Sequence, residues 1–433
     1  MTTTLHNAMI ALSKEIGDYW ASTTNYAGTS TTLVDTALQA KTNDWITDEA
    51  YAFLAEEPAS AAAIYDERKI SSLSDYTLTT LAFSAAPGTG IDYEVHRLFS
   101  PSDKRIALVN AAKNVYPGCF NEVWDETLVC GNWLKDGSFE RWTTSSNLTD
   151  WTETTVTATQ TSTLPYYKHG SYSCKLDTAA GTLDQEITEF KDLQFLRGRN
   201  ATFTCQGWCD TASCLRLSIN DGTTQTYSEY HAGDDAWTED NPRDDSFYVT
   251  QYIDPNATQV TFTIHHGVAA ATSYVDDARV ISEPRGKLYI GHLGLAQNRP
   301  HQVFIEPSYY SQQEDWIKVF DYKVDPSGYL YIPTTYPADR RLRIRGIGYL
   351  DFLASGVSST AWTSTIALDE PQLKVLVAEA ALYLYTTMAL PNYESGTRDE
   401  FAKASTYWAS EVEKRKAKFG MKSPPATVHW GVN

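Results

Sequence analysis

Positive charge is what this chain has least of. It sets 35 Lys and Arg against 54 Asp and Glu, a formal charge of −19 over 433 residues. Wrapping duplex DNA needs clustered cations that release phosphate counterions, so a duplex-binding protein is excluded. Cysteine is sparse as well: six residues, at 119, 130, 174, 205, 209 and 214, are too few for a disulfide framework. Cys205, Cys209 and Cys214 are spaced x3 then x4 rather than C-x2-C, and their context TFTCQGWCDTASCLRLSI reads as two strands and a turn. Buried, reduced thiols are expected there rather than zinc. No apolar run approaches the roughly 20 residues that span a bilayer as a helix. MTTTLHNAMI has neither the basic nor the apolar stretch of a secretory signal, so no export is expected and the N-x-T sites at Asn147, Asn200 and Asn256 read as chance. H-E-x-x-H, G-x-S-x-G, G-x-x-x-x-G-K-[ST] and G-x-G-x-x-G are all missing. The acidic pairs Asp234-Asp235, Glu239-Asp240 and Asp244-Asp245 share one Gly-, Pro- and Asn-rich stretch, which reads as a solvated loop and not as paired general acids.

What the chain does have is apolar and aromatic residues, 42% and 12% of the total, enough for large cores and too many for disorder. Apolar spacing of three and four predicts a helix over 5–20, capped by Thr4. A second is predicted over 101–116, capped by Ser100, with Pro101 at its first position and Ile106, Val109, Ala112 and Val115 as its buried stripe. Between them, alternation of period two marks a small antiparallel β-unit. Residues 131–283 differ in kind: Ser, Thr and Asp dominate, strand signals prevail, and 22 acidic against 10 basic residues supply most of the negative charge. Strand patterns continue over 287–352. QLKVLVAEAALYLYTTM predicts a helix over 371–388 that is apolar on most faces, so charge at Leu382 or Leu384 would disrupt packing. A last helix over 398–419 has Thr397 and Glu400 as its capping box. Arg341, Arg343 and Arg345 alternate with Leu342 and Ile344, so three guanidiniums share one strand face. That face reads as a charge-protected edge strand or as a docking stripe for acidic patches on a neighbour. His265 and His266 are consecutive in a strand and point to opposite faces, which disfavours a shared metal.

The segment 131–283 carries DGSFERW (136–142), YYKHGSYSCKL (166–176), ATFTCQGWCD (201–210) and TSYVDDARVIS (272–282). In these it resembles the jelly-roll, galactose-binding-like carbohydrate-binding modules, with their G-x-F-E…W opening, central H-x-G, F-x-x-W strand and closing F/Y-x-D-D-V. The resemblance implies a structural Ca²⁺ tying the first and last strands, a role that falls on Glu140 and Asp276. It also implies aromatic platforms for a glycan, for which Tyr166, Tyr167, Tyr227, Tyr230 and Trp237 are the candidates, while Trp208 takes the F-x-x-W position, usually core. Residues 1–128, ending in AFSAAPGTGIDYEVHRLFSPSDKRIALVNAAKNVYP, and the block from GYLYIPTTYPADRRLRIRGIGYLDF to the Lys-rich tail look like head–tail connector (adaptor) proteins of tailed phages.

These resemblances imply an α+β, multidomain chain. Residues 1–130 and 284–433 would form a helical connector core with small antiparallel β-units, interrupted by an inserted all-β jelly-roll sandwich at 131–283. The function implied is that of a structural virion protein and not an enzyme: a homo-oligomeric ring in the neck, made in the host cytoplasm. It would touch the portal and other neck or tail proteins, with Arg341, Arg343 and Arg345 as a docking stripe for a neighbouring subunit or the portal, and the helix of Leu382 and Leu384 would lie between helix 398–419 and either the N-terminal helices or a neighbouring subunit. Genomic DNA would pass through without sequence-specific binding, no membrane would be involved, and the peripheral module could take a surface glycan. The alternatives are a tail- or fibre-associated adhesin for host glycans and a glycoside-active enzyme.

Overall fold

Thr4 and Ser100 end extended segments and turn their hydroxyls onto Asn7 N (3.1 Å) and Asp103 N (3.0 Å), which satisfies amides that a helix start otherwise leaves bare. They open α1 (Leu5–Glu15) and α2 (Pro101–Asn114). The computed structural model describes residues 2–46, 50–55, 64–238, 247–282, 286–308, 316–354, 356–389 and 398–423. Glu239-Asp240, Asp244-Asp245 and the cap Thr397 lie outside them. The chain divides into two compact units, one of residues 1–121 with 349–423 and the other of residues 122–348.

In the first unit, α1 and α2 pack with two later helices around one core that includes Leu12, Leu108, Leu376 and Leu384. α1 is shorter than its apolar spacing predicts, because Trp20 begins the strand Trp20–Thr23 instead of a further turn. The buried face of α2 is the expected stripe only in part. Ala112 and Val115 are buried and Val109 packs against the core, but Ile106 is exposed, and Lys104, Ala107, Leu108 and Ala111 also point inward. The reason is electrostatic: Lys104, with no exposed surface, pairs with Asp18 at 2.8 Å and donates to Ser13 Oγ at 3.0 Å. Asp18 in turn accepts the amides of Arg97, Leu98 and Phe99, which pins the chain entering α2. The same unit holds a six-stranded antiparallel sheet, in the order 20–23, 92–96, 51–54, 67–74, 77–80 and 32–34, with its own core around Leu54, Leu78, Tyr93 and Val95.

The second unit is dominated by a two-sheet sandwich, interrupted by the short helix α3 (Phe190–Leu196). One sheet has five strands, ordered 152–154, 181–187, 260–266, 215–220 and 225–227. The other runs 157–161, 173–177, 273–281 and 200–209, with 236–237 and 248–252 both paired to 200–209. The chain passes back and forth between the two sheets, the jelly-roll pattern. Leu183, Phe203, Leu217, Phe262, Ile264 and Val275 fill the space between the sheets. Residues 287–348 belong to this unit and add a three-stranded sheet over 287–331 and a four-stranded one. In the four-stranded sheet, Leu342–Gly348 pairs with Gln302–Ile305 on one side and Asn121–Asp125 on the other. It is therefore an interior strand, which corrects the edge-strand reading of the arginines. α4 (Leu373–Tyr383) runs into a π-helical turn (Leu384–Ala389), and α5 (Arg398–Phe419) closes the first unit.

The α+β class with a helical connector core is overturned. Five α-helices stand against thirty strands among the described residues, and strand residues outnumber α-helical ones about two to one. Helical periodicity at both ends of the sequence overstated the helices, because strands of two to five residues leave little periodic signal while each helix writes a long one. Among the described residues, no helix is long and apolar enough to cross a membrane.

Breaking a buried ion pair leaves the surviving charge uncompensated. Lys104→Ala should therefore destabilise the first unit by about 3–5 kcal/mol. Denaturant unfolding followed by the near-ultraviolet signals of the two units checks this; an unchanged midpoint would mean that the Lys104–Asp18 pair does not hold α2.

Candidate functional site: an open polar sheet face

Alternation sends every second side chain of the five-stranded sheet outward, and pairing puts these in rows. One row crosses all five strands: Thr152 opposite Asp184, Asp184 opposite Thr263, Thr263 opposite Ser218, and Ser218 opposite Tyr227. At usual strand spacing the row is roughly 19 Å long. The adjoining row contains Thr182, His265 and Arg216.

At one end of the face the Arg216 guanidinium carbon lies 4.1 Å from the Tyr227 ring centre and 4.8 Å from that of Tyr230. The arginine thus props two rings that are 43% and 44% exposed. His265 lies 5.5 Å from the Tyr227 ring and shares a 2.8 Å hydrogen bond with Ser218 Oγ, to which Gln225 Nε2 also donates at 3.2 Å. Burial, helped by the Arg216 charge, holds the His265 imidazole down at about 4, so it is neutral at pH 7. Toward the other end, Asp184 accepts the Thr182 hydroxyl at 2.7 Å. Ser218 and Thr263, in the middle of the row, are buried, with His265 and Gln225 on the Ser218 hydroxyl, so the face offers flat rings with amide and imidazole groups at its Tyr227 end and hydroxyl and carboxylate groups at its Thr152–Asp184 end, the two kinds of contact a sugar ring can use. His266, next in the strand, points inward and meets Cys214 Sγ at 3.3 Å and Ser273 Oγ at 2.9 Å. All six cysteines are free and buried.

The structure gathers the candidate platforms in two places, Tyr227 and Tyr230 on this face and Tyr166 and Trp237 beside Trp208 on the second sheet. Tyr166 is stacked on Tyr274 at 4.3 Å and edge-on to Trp208 at 5.1 Å. Trp237 is opposite Trp208 in the second sheet and donates its indole N–H to Pro165 O at 2.8 Å, while Tyr167 is half-buried. Trp208 itself is buried beneath Tyr166 and Tyr274 and not between the sheets. Sequence reasoning passed over Arg216, Ser218, Asp184 and Thr263. The period-two alternation of their strands was a readable signal, but their alignment across strands was not.

Glu140 and Asp276 both engage one loop. Glu140 Oε1 accepts the amides of Ser171 (2.8 Å) and Tyr172 (3.0 Å); Asp276 Oδ2 accepts those of Lys168 (2.7 Å) and His169 (3.0 Å), and Oδ1 that of Asp277 (2.7 Å). Burial pushes Glu140 up to about 7 and Asp276 well above the carboxylate range. Five backbone amides thus clasp the two carboxylates.

The arginine stripe is engaged within the chain. Arg341 pairs with Glu306 at 2.8 Å and Arg343 with Glu126 at 2.6 Å, while Arg345 lies 3.6 Å from the Trp124 ring centre. Leu384 is fully buried in the first unit's own core, with Leu382 packed beside it.

No family profile and no curated protein matches the chain. Among solved structures, it is similar to the enzymatically active domain of tailspike protein 4 of bacteriophage CBA120, at 15% identity and a TM-score of 0.27 over 35% of this chain. The match covers about a fifth (21%) of that tailspike domain. TmCBM61, solved with β-1,4-galactotriose, matches at 16% identity and a TM-score of 0.26, covering 35% of this chain and 99% of its own. The CBM22-1 xylan-binding domain of Paenibacillus barcinonensis Xyn10C matches at 14% and 0.26, covering 38% and 99%.

The Glu140 carboxyl has a sign that can be read. Folded, it holds its proton to about pH 7, and unfolded to about 4.3, so the folded state binds more protons in that window and stability falls as pH rises through it. Glu140→Gln, which keeps an acceptor for the two amides, should flatten that slope and raise the melting temperature at pH 8, with chelator leaving both proteins unchanged. A wild-type melting temperature that drops on chelation would assign Glu140 and Asp276 to calcium instead.

Proposed function

We propose that the protein is a glycan-binding protein whose jelly-roll sandwich takes a short oligosaccharide across the outer face of its five-stranded sheet. The observation that carries this is the pair of exposed rings, Tyr227 and Tyr230, propped on Arg216 at one end of the sheet face, with the polar side chains of Gln225 and His265 beside them and those of Thr152 and Asp184 at the other end. Exposed aromatic rings set beside aligned hydrogen-bonding groups suit the alternating apolar faces and hydroxyl edges of pyranose rings. The sandwich is also the part of the chain that resembles carbohydrate-binding modules in its motifs. Binding without bond cleavage is the form of the proposal. The head-to-tail connector and its portal ring depended on a predominantly helical core; here the packed helices share the first unit with a six-stranded sheet, strands outnumber helices, and no observation on this chain favours the connector. The texture of residues 1–128 still resembles tailed-phage virion proteins. That likeness supports an adhesin on a phage tail or fibre as the setting, and peptide mass spectrometry of purified particles tests it.

A microarray of neutral, amino and acidic glycans tests the binding itself. Tyr227→Ala and Tyr230→Ala should each weaken the strongest signal by about two- to tenfold, the range of a ring-stacking contribution of roughly 0.5–1.5 kcal/mol. Tyr167→Ala should leave it unchanged. No bound glycan at all, or equal loss from Tyr167→Ala, would sink the proposal.

A further inference from the structure

The row of polar side chains does not stop in open solvent at both ends. At its Thr152–Asp184 end it enters a cleft of ≈ 480 Å³ that both residues line, together with Glu186 of the same outward face. The opposite wall of that cleft is not part of the sandwich. It is built by Tyr289, His292 and Tyr329, from the three-stranded sheet of residues 287–331 and the turn after its first strand. The wall is a packed aromatic group: Tyr289 lies 5.3 Å from Tyr329 and 5.9 Å from His292, and Lys287 Nζ sits 4.1 Å from the Tyr329 ring centre. Arg141, held by Asp150, bridges the two sides with its guanidinium 5.6 Å from the Tyr289 ring centre. Six carboxylates line the cleft against three cations.

We propose that this cleft is a chain-end subsite: the sheet face binds the body of a glycan and the Tyr289–Tyr329 wall stops it, so the protein reads a terminus and not the interior of a polymer. The proposal rests on the glycan-binding reading above and adds to it Tyr289, His292 and Tyr329 as part of the site. The net negative lining also fixes the chemical class of the terminal sugar. A uronate or phosphosugar would bring its charge against Asp184 and Glu186 in a partly enclosed space, where repulsion is poorly screened, whereas a neutral or amine-bearing sugar is tolerated. Tyr289 and Tyr329 are then stacking surfaces for that last ring.

Binding stoichiometry separates this from binding along a chain. The probes are the hexasaccharides of glucose, xylose, galactose and mannose, each compared with a soluble polysaccharide of the same unit, titrated calorimetrically into the full chain. For whichever sugar binds, one protein per chain is expected for the hexasaccharide and for the polymer alike. Tyr289→Ala should weaken the hexasaccharide severalfold, and Asp184→Asn with Glu186→Gln should admit a uronate-terminated hexasaccharide that the wild type rejects. Several proteins bound per polymer chain, with Tyr289→Ala indistinguishable from wild type while Tyr227→Ala still weakens binding, would overturn the chain-end subsite and leave the sheet face standing. Absence of binding to every probe and to the glycan array would remove both.

Discussion

The buried guanidinium of Arg279 is the constraint on which the second unit depends. It sits on the closing strand Ser273–Ile281 with 1% of its surface exposed, donates through Nε to Asp277 at 2.7 Å and reaches Asp339 at 3.1 Å. A charge taken out of water is tolerated only when its hydrogen bonds are met, so this arginine holds together whatever supplies its acceptors. One acceptor belongs to the sandwich and the other to the segment that follows it. Burial alone would raise the Asp277 carboxyl, but the charge and hydrogen bonds of Arg279, with the nearby His169 and Arg341, together outweigh that and hold the group below its ordinary range. Asn132 reinforces the joint by donating to Ala278 O and accepting from Val280 N. The turn that leads into the strand Leu342–Gly348 is therefore held to the sandwich by an ionic contact.

The first unit uses the same device in another place. Lys104 and Asp18 fix α2 against the strand ends at 97–99, and His96 and Glu94 extend the buried polar chain to His6 in α1. In both units one charged group whose partners come from distant segments sets how elements meet, while alternating apolar residues supply the bulk of the core.

Local features were legible wherever a few adjacent residues decide them. Thr4 and Ser100 cap the helices they were expected to cap, and DGSFERW and TSYVDDARVIS lie in the sandwich whose fold they suggested. The reading failed where a distant partner decides. Ile106 looked like core until Lys104 found Asp18. Arg341, Arg343 and Arg345 looked like a free stripe, but Glu306, Glu126 and Trp124 lie elsewhere in the chain. Aromatic candidates chosen by type were sorted only by the fold, which put Tyr227 and Tyr230 together on the open face and laid Tyr166 over Trp208.

The sequence by itself determined the alternation of strands 181–187, 215–220 and 260–266, and so which side chains face water and which fill the sandwich. It determined the excess of negative charge and the aromatic supply. Only the tertiary structure decided that Asp184, Thr263, Ser218 and Tyr227 form one line, and that the line runs into a cleft backed by Tyr289 and Tyr329. The physical reason is register: a strand's period is local, but which residue stands opposite which is fixed by hydrogen bonds between segments far apart in the chain, and a slip of one residue would turn the whole row inward.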